Sequence, residues 1–361
     1  MMIAAPTIQR LETPPAPPFA VPTWLRPVIV PAGRIAVAGG WAGFDMLDVV
    51  QRDQAGGYSV ARMTPDQLLA AADDADLAAA ALHRITSPRA DFAGLSMDRP
   101  RIMGILNVTP DSFSDGGRHN APARAVAAGR KMAAAGAEII DIGGESTRPG
   151  AEPVTRNQEL ARVLPPIAGL QGGDVALSID SRHAEVMTRA CDAGAGIIND
   201  VNGLRGEGAL EAAAAAGVPA IIMHMKGTPE TMQQDPVYGF APVEIYEFLD
   251  ARIAAAKAAG IPRDRLAVDP GFGFGKTVVH NLELMGWAAL FHGLGVPVLI
   301  GASRKSSIAK MSDGEDADHR LPGSLVLAMQ GMTQGCQLLR VHDVAETRQA
   351  LAVQMALATA G

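Results

Sequence analysis

The densest chemistry in the chain lies in Asn107-Val-Thr-Pro-Asp-Ser-Phe-Ser-Asp-Gly-Gly117, where eleven residues hold three acidic or amide side chains, three hydroxyls and an aromatic ring. Buried in a core, each polar group would need a partner. At the mouth of a barrel they can hold a charged ligand. Seven further segments have the same character: Gly143-Gly-Glu-Ser-Thr-Arg-Pro-Gly150, Asp180, Asn199-Asp200, His224 with Lys226, Asp269-Pro-Gly-Phe-Gly-Phe-Gly-Lys276, Ser303-Arg-Lys-Ser306 and Arg340-Val-His-Asp343. Each of the eight ends a short apolar run.

Their chemistry divides in two. Asp180, Asn199 and Asp269 are anionic or amide. Deep in an apolar barrel such groups read a flat heterocycle with an N–H edge, such as a pyrimidine or pterin, through charge-assisted bonds worth roughly 1.5–3 kcal/mol each. The competing reading makes Asp180 and Asp269 caps of the following helices. Arg148, Arg304, Lys305, Arg340 and His342 form a cationic half. Several follow the last two strands, where barrels often bind phosphate, and opposite charges ~4 Å apart at a partly screened site attract by about 4 kcal/mol. A phosphate or diphosphate is the natural partner; surface salt bridges are the alternative.

Other patterns exclude chemistry. Gly271-Phe-Gly-Phe-Gly275-Lys276 invites a P-loop reading, but the position five before Gly275 is Pro270. The glycines instead let the loop turn and approach a flat ligand. Ser303 has no evident paired histidine, and His280, His292 and His319 read as surface or helix residues. No spacing suits tight zinc. Mg²⁺ held by Asn107 together with diphosphate oxygens would suit a hard cation.

The elements that must carry these groups alternate. Strands are expected at Arg101–Val108, Glu138–Gly143, Val175–Asp180, Gly196–Asp200, Pro219–Met225, Leu266–Pro270, Val296–Ala302 and Cys336–Val341. Alanine-rich helices are expected between them, as at Ala121–Ala135, His183–Asp192 and Val243–Ala259, with Val344–Ala358 closing the chain. Eight β-then-α units in about 260 residues predict a TIM (β/α)8 barrel; a doubly wound sheet is the runner-up. Residues 1–98 read as an N-terminal extension or small domain and 99–361 as the barrel. The extension opens proline-rich and extended, continues with short apolar pieces at 35–38 and 44–50, and has a helix opened by Thr64-Pro65-Asp66-Gln67 and running to Leu82. Ser87–Asp91 reads as the linker.

The totals bound the rest. The chain has 361 residues, 48% hydrophobic and 19% charged, so a large core is expected. A net charge of −7 disfavours nucleic acid. The two cysteines, Cys191 and Cys336, sit in apolar surroundings and read as buried reduced thiols. No signal peptide or membrane-spanning run is recognisable, which predicts a soluble cytoplasmic protein.

Taken together, Met103–Gly117, Asp141–Ala151, Ser178–Ser181, Ile198–Asp200, Asp269–Lys276, Ser303–Lys305 and Arg340–Asp343 closely resemble the dihydropteroate synthase family, in the family's order, over about residues 100–361. The resemblance implies condensation of a dihydropterin methyl diphosphate with 4-aminobenzoate, releasing diphosphate. It implies a pterin slot lined by Asp180, Asn199, Met223, Asp269 and Lys305. Arg340, His342, Thr147 and Asn107 would face the diphosphate, with Asn107 on Mg²⁺. Asp115 and Arg148 would support the reacting state, and Phe113, Pro149, Phe274 and Ser303 would shape the aminobenzoate pocket. A homodimer is implied by the family alone. Two rivals stay open: a pterin-binding methyltransferase barrel, which needs no diphosphate pocket, and a non-catalytic pterin-binding scaffold.

Overall fold

The computed structural model describes residues 8–109, 121–145, 154–228 and 231–359. The first elements are β1 (Ile8–Leu11), β2 (Thr23–Val30), β3 (Ile35–Ala36), β4 (Gly43–Arg52), β5 (Tyr58–Met63), α1 (Pro65–Ala71) and α2 (Ala75–Thr86). The strands form one sheet in the order β1-β5-β4-β2, with β3 beside β4. Pro27 is accommodated because β2 lies at the edge, where a missing ladder donor is tolerated. Thr64 and Gln67 make the expected capping box on α1. The helix does not run on to Leu82, however. Asp74 accepts from the Leu77 N–H and starts α2 afresh, since an aspartate binds a helix N-terminus better than it continues one.

One face of this sheet packs on its own helices through Leu25, Phe44, Leu47, Val49, Leu68 and Ile85. The other carries Trp24, Val50, Tyr58 and Val60 against Phe240, Val243, Trp287 and Leu290 of the barrel. Asp48 is fully buried in the sheet, and strand register sets Arg26 and Arg62 opposite it, at 2.6 and 2.8 Å. Held this way, the Arg26 guanidinium lies 4.1 Å from the Trp287 ring centroid and donates to the Gly286 carbonyl. The segment predicted as a linker is tied down too, because Arg89 donates to the carbonyls of Arg84, Ser87 and His292.

The barrel follows: β6 (Arg101–Asn107), α3 (Ala121–Ala135), β7 (Ile139–Gly143), α4 (Arg156–Leu170), β8 (Ala176–Asp180), α5 (Ala184–Asp192), β9 (Ile197–Asp200), α6 (Ala209–Ala216), β10 (Ala220–Met223), α7 (Ala241–Ala258), β11 (Leu266–Asp269), α8 (Val278–Gly286), β12 (Leu299–Ile300), α9 (Ser306–Met311), α10 (Leu321–Thr333), β13 (Leu338–Val341) and α11 (Val344–Thr359). All eight strands pair in parallel, in the order β11-β10-β9-β8-β7-β6-β13-β12. The circle closes through a single bridge, Val268 to Val298, with the Val268 N–H donating to Pro297. Pro297 has no N–H for the ladder, so the predicted Val296–Ala302 strand shrinks to two residues.

Residues along each strand alternate between barrel interior and helix layer. Ile102, Leu106, Ile140, Ile142, Leu177, Ile179, Ile222 and Val268 pack outward on the helices. Inward, Met103, Ile139, Ile197, Ile221, Ala267, Leu299 and Leu338 fill the lower layer, and Phe92 and Met97 plug it from below. The layers above are polar. We expect Phe92→Ala to lower unfolding free energy by about 3–5 kcal/mol, the cost of a cavity in a packed core. Urea unfolding of the full chain measures this, and a loss near zero would place the plug outside the cooperative core.

Candidate active site

The inward positions near the upper rim are Asp141 on β7, Asp180 on β8, Asn199 on β9, Met223 on β10, Asp269 on β11 and Arg340 on β13. Arg340 joins three of them. Its Nε donates to Asp141 Oδ2 and its Nη2 to Asp180 Oδ2, both at 2.6 Å. Asn199 Nδ2 donates to the same Asp141 oxygen at 3.0 Å. The acidic and cationic halves read from the sequence are therefore not apart: the strongest base is clamped between two of the acids. Burial alone would lower the Arg340 guanidinium, but Asp141 and Asp180 more than reverse this and hold it above its ordinary value. Burial raises Asp180, with Arg340 opposing. Burial likewise raises Asp269, against the pull of the Gly271 N–H and Lys305.

Two glycines keep the mouth open. A Cβ on Gly301 would lie 3.6 Å from Asp269 Oδ2 and 3.7 Å from Arg340 Cβ. A Cβ on Gly143 would lie 3.6 Å from Asp180 Oδ2 and 3.7 Å from Asn107 Oδ1. Asp269 and Arg340 thus meet beside Gly301, Asp180 and Asn107 meet beside Gly143, and the Arg340–Asp180 bond joins the two groups. Neither aspartate caps a helix: α5 has His183 at its N-cap and α8 has Thr277. Asp269 Oδ1 accepts from the Gly271 N–H at 2.7 Å, leaving Oδ2 beside Gly301.

Lys305 reaches the same region along the loop after β12. Arg304, just before it, takes φ 58°, a left-handed turn held by bonds to Ser324, Asp343 and Asp318. Lys305 Nζ then lies 3.9 Å from the Phe274 ring centroid. Phe274 belongs to an apolar cluster with Val201, Met223, Met225 and Met232. Ser303 and His342 are partners after all, with Oγ and Nδ1 3.1 Å apart and the His342 N–H also donating to Oγ. The proposed cationic cluster needs two corrections. Arg304 is consumed by carboxylates at the surface of the site. His342 is neutral, because burial and then Arg340 and Arg304 push its ring down to about 3. His292, expected at the surface or in a helix, lies in the 3-10 segment Ala288–Leu294 and is fully buried. Phe113, Asp115, Thr147, Arg148 and Pro149 lie outside the described residues.

Asp141 is the site residue missed from sequence. It looks like one more polar residue in an apolar strand, and only its inward register reveals it. Its Oδ1 and the Ser178 Oγ across the ladder are buried with no hydrogen-bond partner. Such orphans inside a barrel suit an N–H donor or a water. For a cation, Asn107 Oδ1 faces the space beside Gly143, where the neighbouring Asp180 Oδ2 is already held by Arg340. Among the described residues no group of three or more His, Cys, Asp or Glu is placed to hold a metal ion. The hard amide oxygen of Asn107 suits Mg²⁺, which keeps water or ligand oxygens on its other positions.

The pterin binding enzyme family matches residues 103–342. The dihydropteroate synthase of Escherichia coli (strain K12) is 46% identical over 265 residues, covering 73% of this chain and 94% of that protein. The chain belongs to the dihydropteroate synthase family. Among solved members of that family, the Xanthomonas albilineans dihydropteroate synthase with 4-aminobenzoic acid is 49% identical, with a TM-score of 0.71, covering 75% of this chain and 98% of that one. The same organism's dihydropteroate synthase in complex with 7,8-dihydropteroate is 46% identical, with a TM-score of 0.68 and the same coverage. The family range begins after the N-terminal sheet. Among the described residues no helix is long and apolar enough to cross a membrane.

His342 provides a test of the site's electrostatics. With the native ring pushed down to about 3 and an unfolded histidine near 6.5, the native state stays unprotonated while the unfolded chain takes a proton. Its stabilising contribution is complete above about pH 6.5 and is lost as pH falls from there toward 3. In NMR, the His342 ring signal should stay fixed between about pH 5 and 8; a midpoint near 6.5 would refute the neutral assignment.

Proposed function

We propose that this barrel condenses (7,8-dihydropterin-6-yl)methyl diphosphate with 4-aminobenzoate, giving 7,8-dihydropteroate and diphosphate. The observation that supports the reading is the grouping of Asp180, Asp269, Arg340 and Asn107 at the strand ends, with Lys305 over Phe274 beside them.

The pterin ring lies in the slot, with Asp180, Asn199 and Asp269 reading its N–H edge and Met223 and Lys305 lining it. Arg340, His342, Thr147 and Asn107 face the diphosphate. His342 serves there as a neutral hydrogen-bonding group, and Arg340 supplies the charge. Phe113, Pro149, Phe274 and Ser303 shape the aminobenzoate pocket. Asn107 would hold Mg²⁺, whose charge would offset that on the leaving diphosphate. The C–O bond of the methylene breaks and diphosphate leaves with the electron pair. The resulting pterin cation is delocalised, and the carboxylates of Asp180 and Asp269 stabilise it from fixed positions. The aniline nitrogen then forms the C–N bond and releases its proton, so no strong general base is required. Asp115 and Arg148 support this reacting state.

We also propose a homodimer and a reducing, cytoplasmic setting. Val326, Val353 and Leu357, exposed on the neighbouring α10 and α11, support the first. The two free cysteines support the second.

A coupled diphosphate-release assay tests the activity. Mixing both substrates with Mg²⁺ should release diphosphate, and EDTA should abolish release; pterin binding without release would leave only a binding protein. Asp269→Asn should weaken binding of the pterin diphosphate by about tenfold or more, the loss of a charge-assisted bond. Unchanged affinity would refute the slot. Arg148→Ala should lower kcat more than it weakens pterin binding, and equal losses would remove its role in the reacting state.

A further inference from the structure

The loop after β11 is laid directly on the backbone after β10. A Cβ on Gly271 (φ 73°) would lie 1.9 Å from the His224 carbonyl oxygen, and one on Gly275 (φ 63°) 2.6 Å from that of Lys226. The glycines therefore serve contact between two protein loops, not approach to a ligand alone. Between the loops sits Lys276, only 2% exposed and, among the described residues, with two carbonyls and a histidine as its hydrogen-bond partners. Its Nζ lies 2.8 Å from the Gly271 carbonyl, 3.0 Å from the Phe274 carbonyl and 2.9 Å from His224 Nδ1. An ammonium has three hydrogens, and here each meets one acceptor. His224 is held neutral by burial, with Lys276 adding to the effect, and its Nδ1 accepts whenever Lys276 carries its full ammonium. Burial pushes Lys276 itself down to about 7. The fold thus keeps a costly polar group where an apolar residue would pack more easily.

We propose that Lys276 is a positioning residue that sets both halves of the substrate pocket. The Gly271 peptide is gripped from two sides: its carbonyl by Lys276, its N–H by Asp269 Oδ1. That grip turns Asp269 so that Oδ2 faces the pterin slot. The second bond fixes the Phe274 carbonyl, and with it the ring beneath Lys305. One buried ammonium thereby couples the carboxylate that reads the pterin to the aromatic wall of the aminobenzoate pocket. The two loops are braced from outside by Gln233, which donates to the Gly273 carbonyl, and Tyr238, which donates to that of Gly275. The inference rests on the slot assignment made above.

Lys276→Met keeps the length and burial of the side chain and removes the donors. It should raise KM for both substrates about tenfold or more and change kcat by less than about threefold, since the reacting groups remain. KM values at wild-type level would overturn the proposal. His224→Asn and His224→Leu keep it testable if the methionine variant does not fold. An asparagine amide oxygen falls where Nδ1 lies, so Asn should retain wild-type KM values while Leu raises both; a Leu variant indistinguishable from Asn would overturn it. Asp269→Asn is measured alongside. If it loses pterin affinity while Lys276→Met does not, the slot stands and the positioning role falls. If Asp269→Asn retains affinity, both fall.

Discussion

The clamp of Arg340 between Asp141 and Asp180 is the constraint on which the barrel mouth depends. Three charges taken out of water are tolerable only when each is paired in good geometry. The pairing needs β7, β8 and β13 in exact register, because a slip of one residue would turn the side chains into the helix layer. The apolar plug below, with Phe92 and Met97, keeps water from the underside of the clamp. The polar site is thus not set on top of an independent core. Its ion pairs and the packing beneath them require the same strand alignment.

The clamp also prepares the site for chemistry. Arg340 is oriented and charged before any ligand arrives, so little reorganisation is needed when negative charge develops near it. Asp180 has one oxygen on Arg340, and Asp269 has one oxygen on a backbone N–H. Each carboxylate is held by one oxygen, which leaves the other free to be directional. His342, by contrast, is kept uncharged by burial first and then by the guanidiniums of Arg340 and Arg304.

Much of this was legible in the sequence and some could not be. Eight apolar runs ending in polar residues read correctly as eight strands, because parallel strands buried on both faces need continuous apolarity. Of the residues at the strand ends, Asp180 and Arg340 are brought into direct contact, and Asn199 reaches the same Asp141 that Arg340 holds. Pairing was not legible. Nothing in the order of residues says that Arg340 belongs to Asp141, that Ser303 meets His342, or that Arg304 spends its charge on Asp343 and Asp318. Protonation depends on those pairings, so His342 was read as a cation. Local competition misled elsewhere: Asp74 cut a helix that alanine content favoured, and Pro297 thinned a strand that β-branched residues favoured. Lys276 was set aside with a rejected nucleotide motif. Its signal was present in the three glycines before it, which mark a backbone approach that something must hold.

The seam between β11 and β12 has a practical consequence. There the ladder is reduced to one bridge, and the 3-10 segment Ala288–Leu294 leads in the chain from α8 toward β12. The carbonyls of His292 and Gly293 are satisfied by Arg89 and Arg84, and the apolar surface of Phe240, Trp287 and Leu290 is covered by Trp24 and Tyr58. All four covering residues come from before the barrel. A fragment trimmed to its relatives' length would bare a greasy stripe beside stripped peptide oxygens, at the weakest stave of the cask. The first ninety or so residues are therefore the hoop that lets this particular barrel tolerate an imperfect joint.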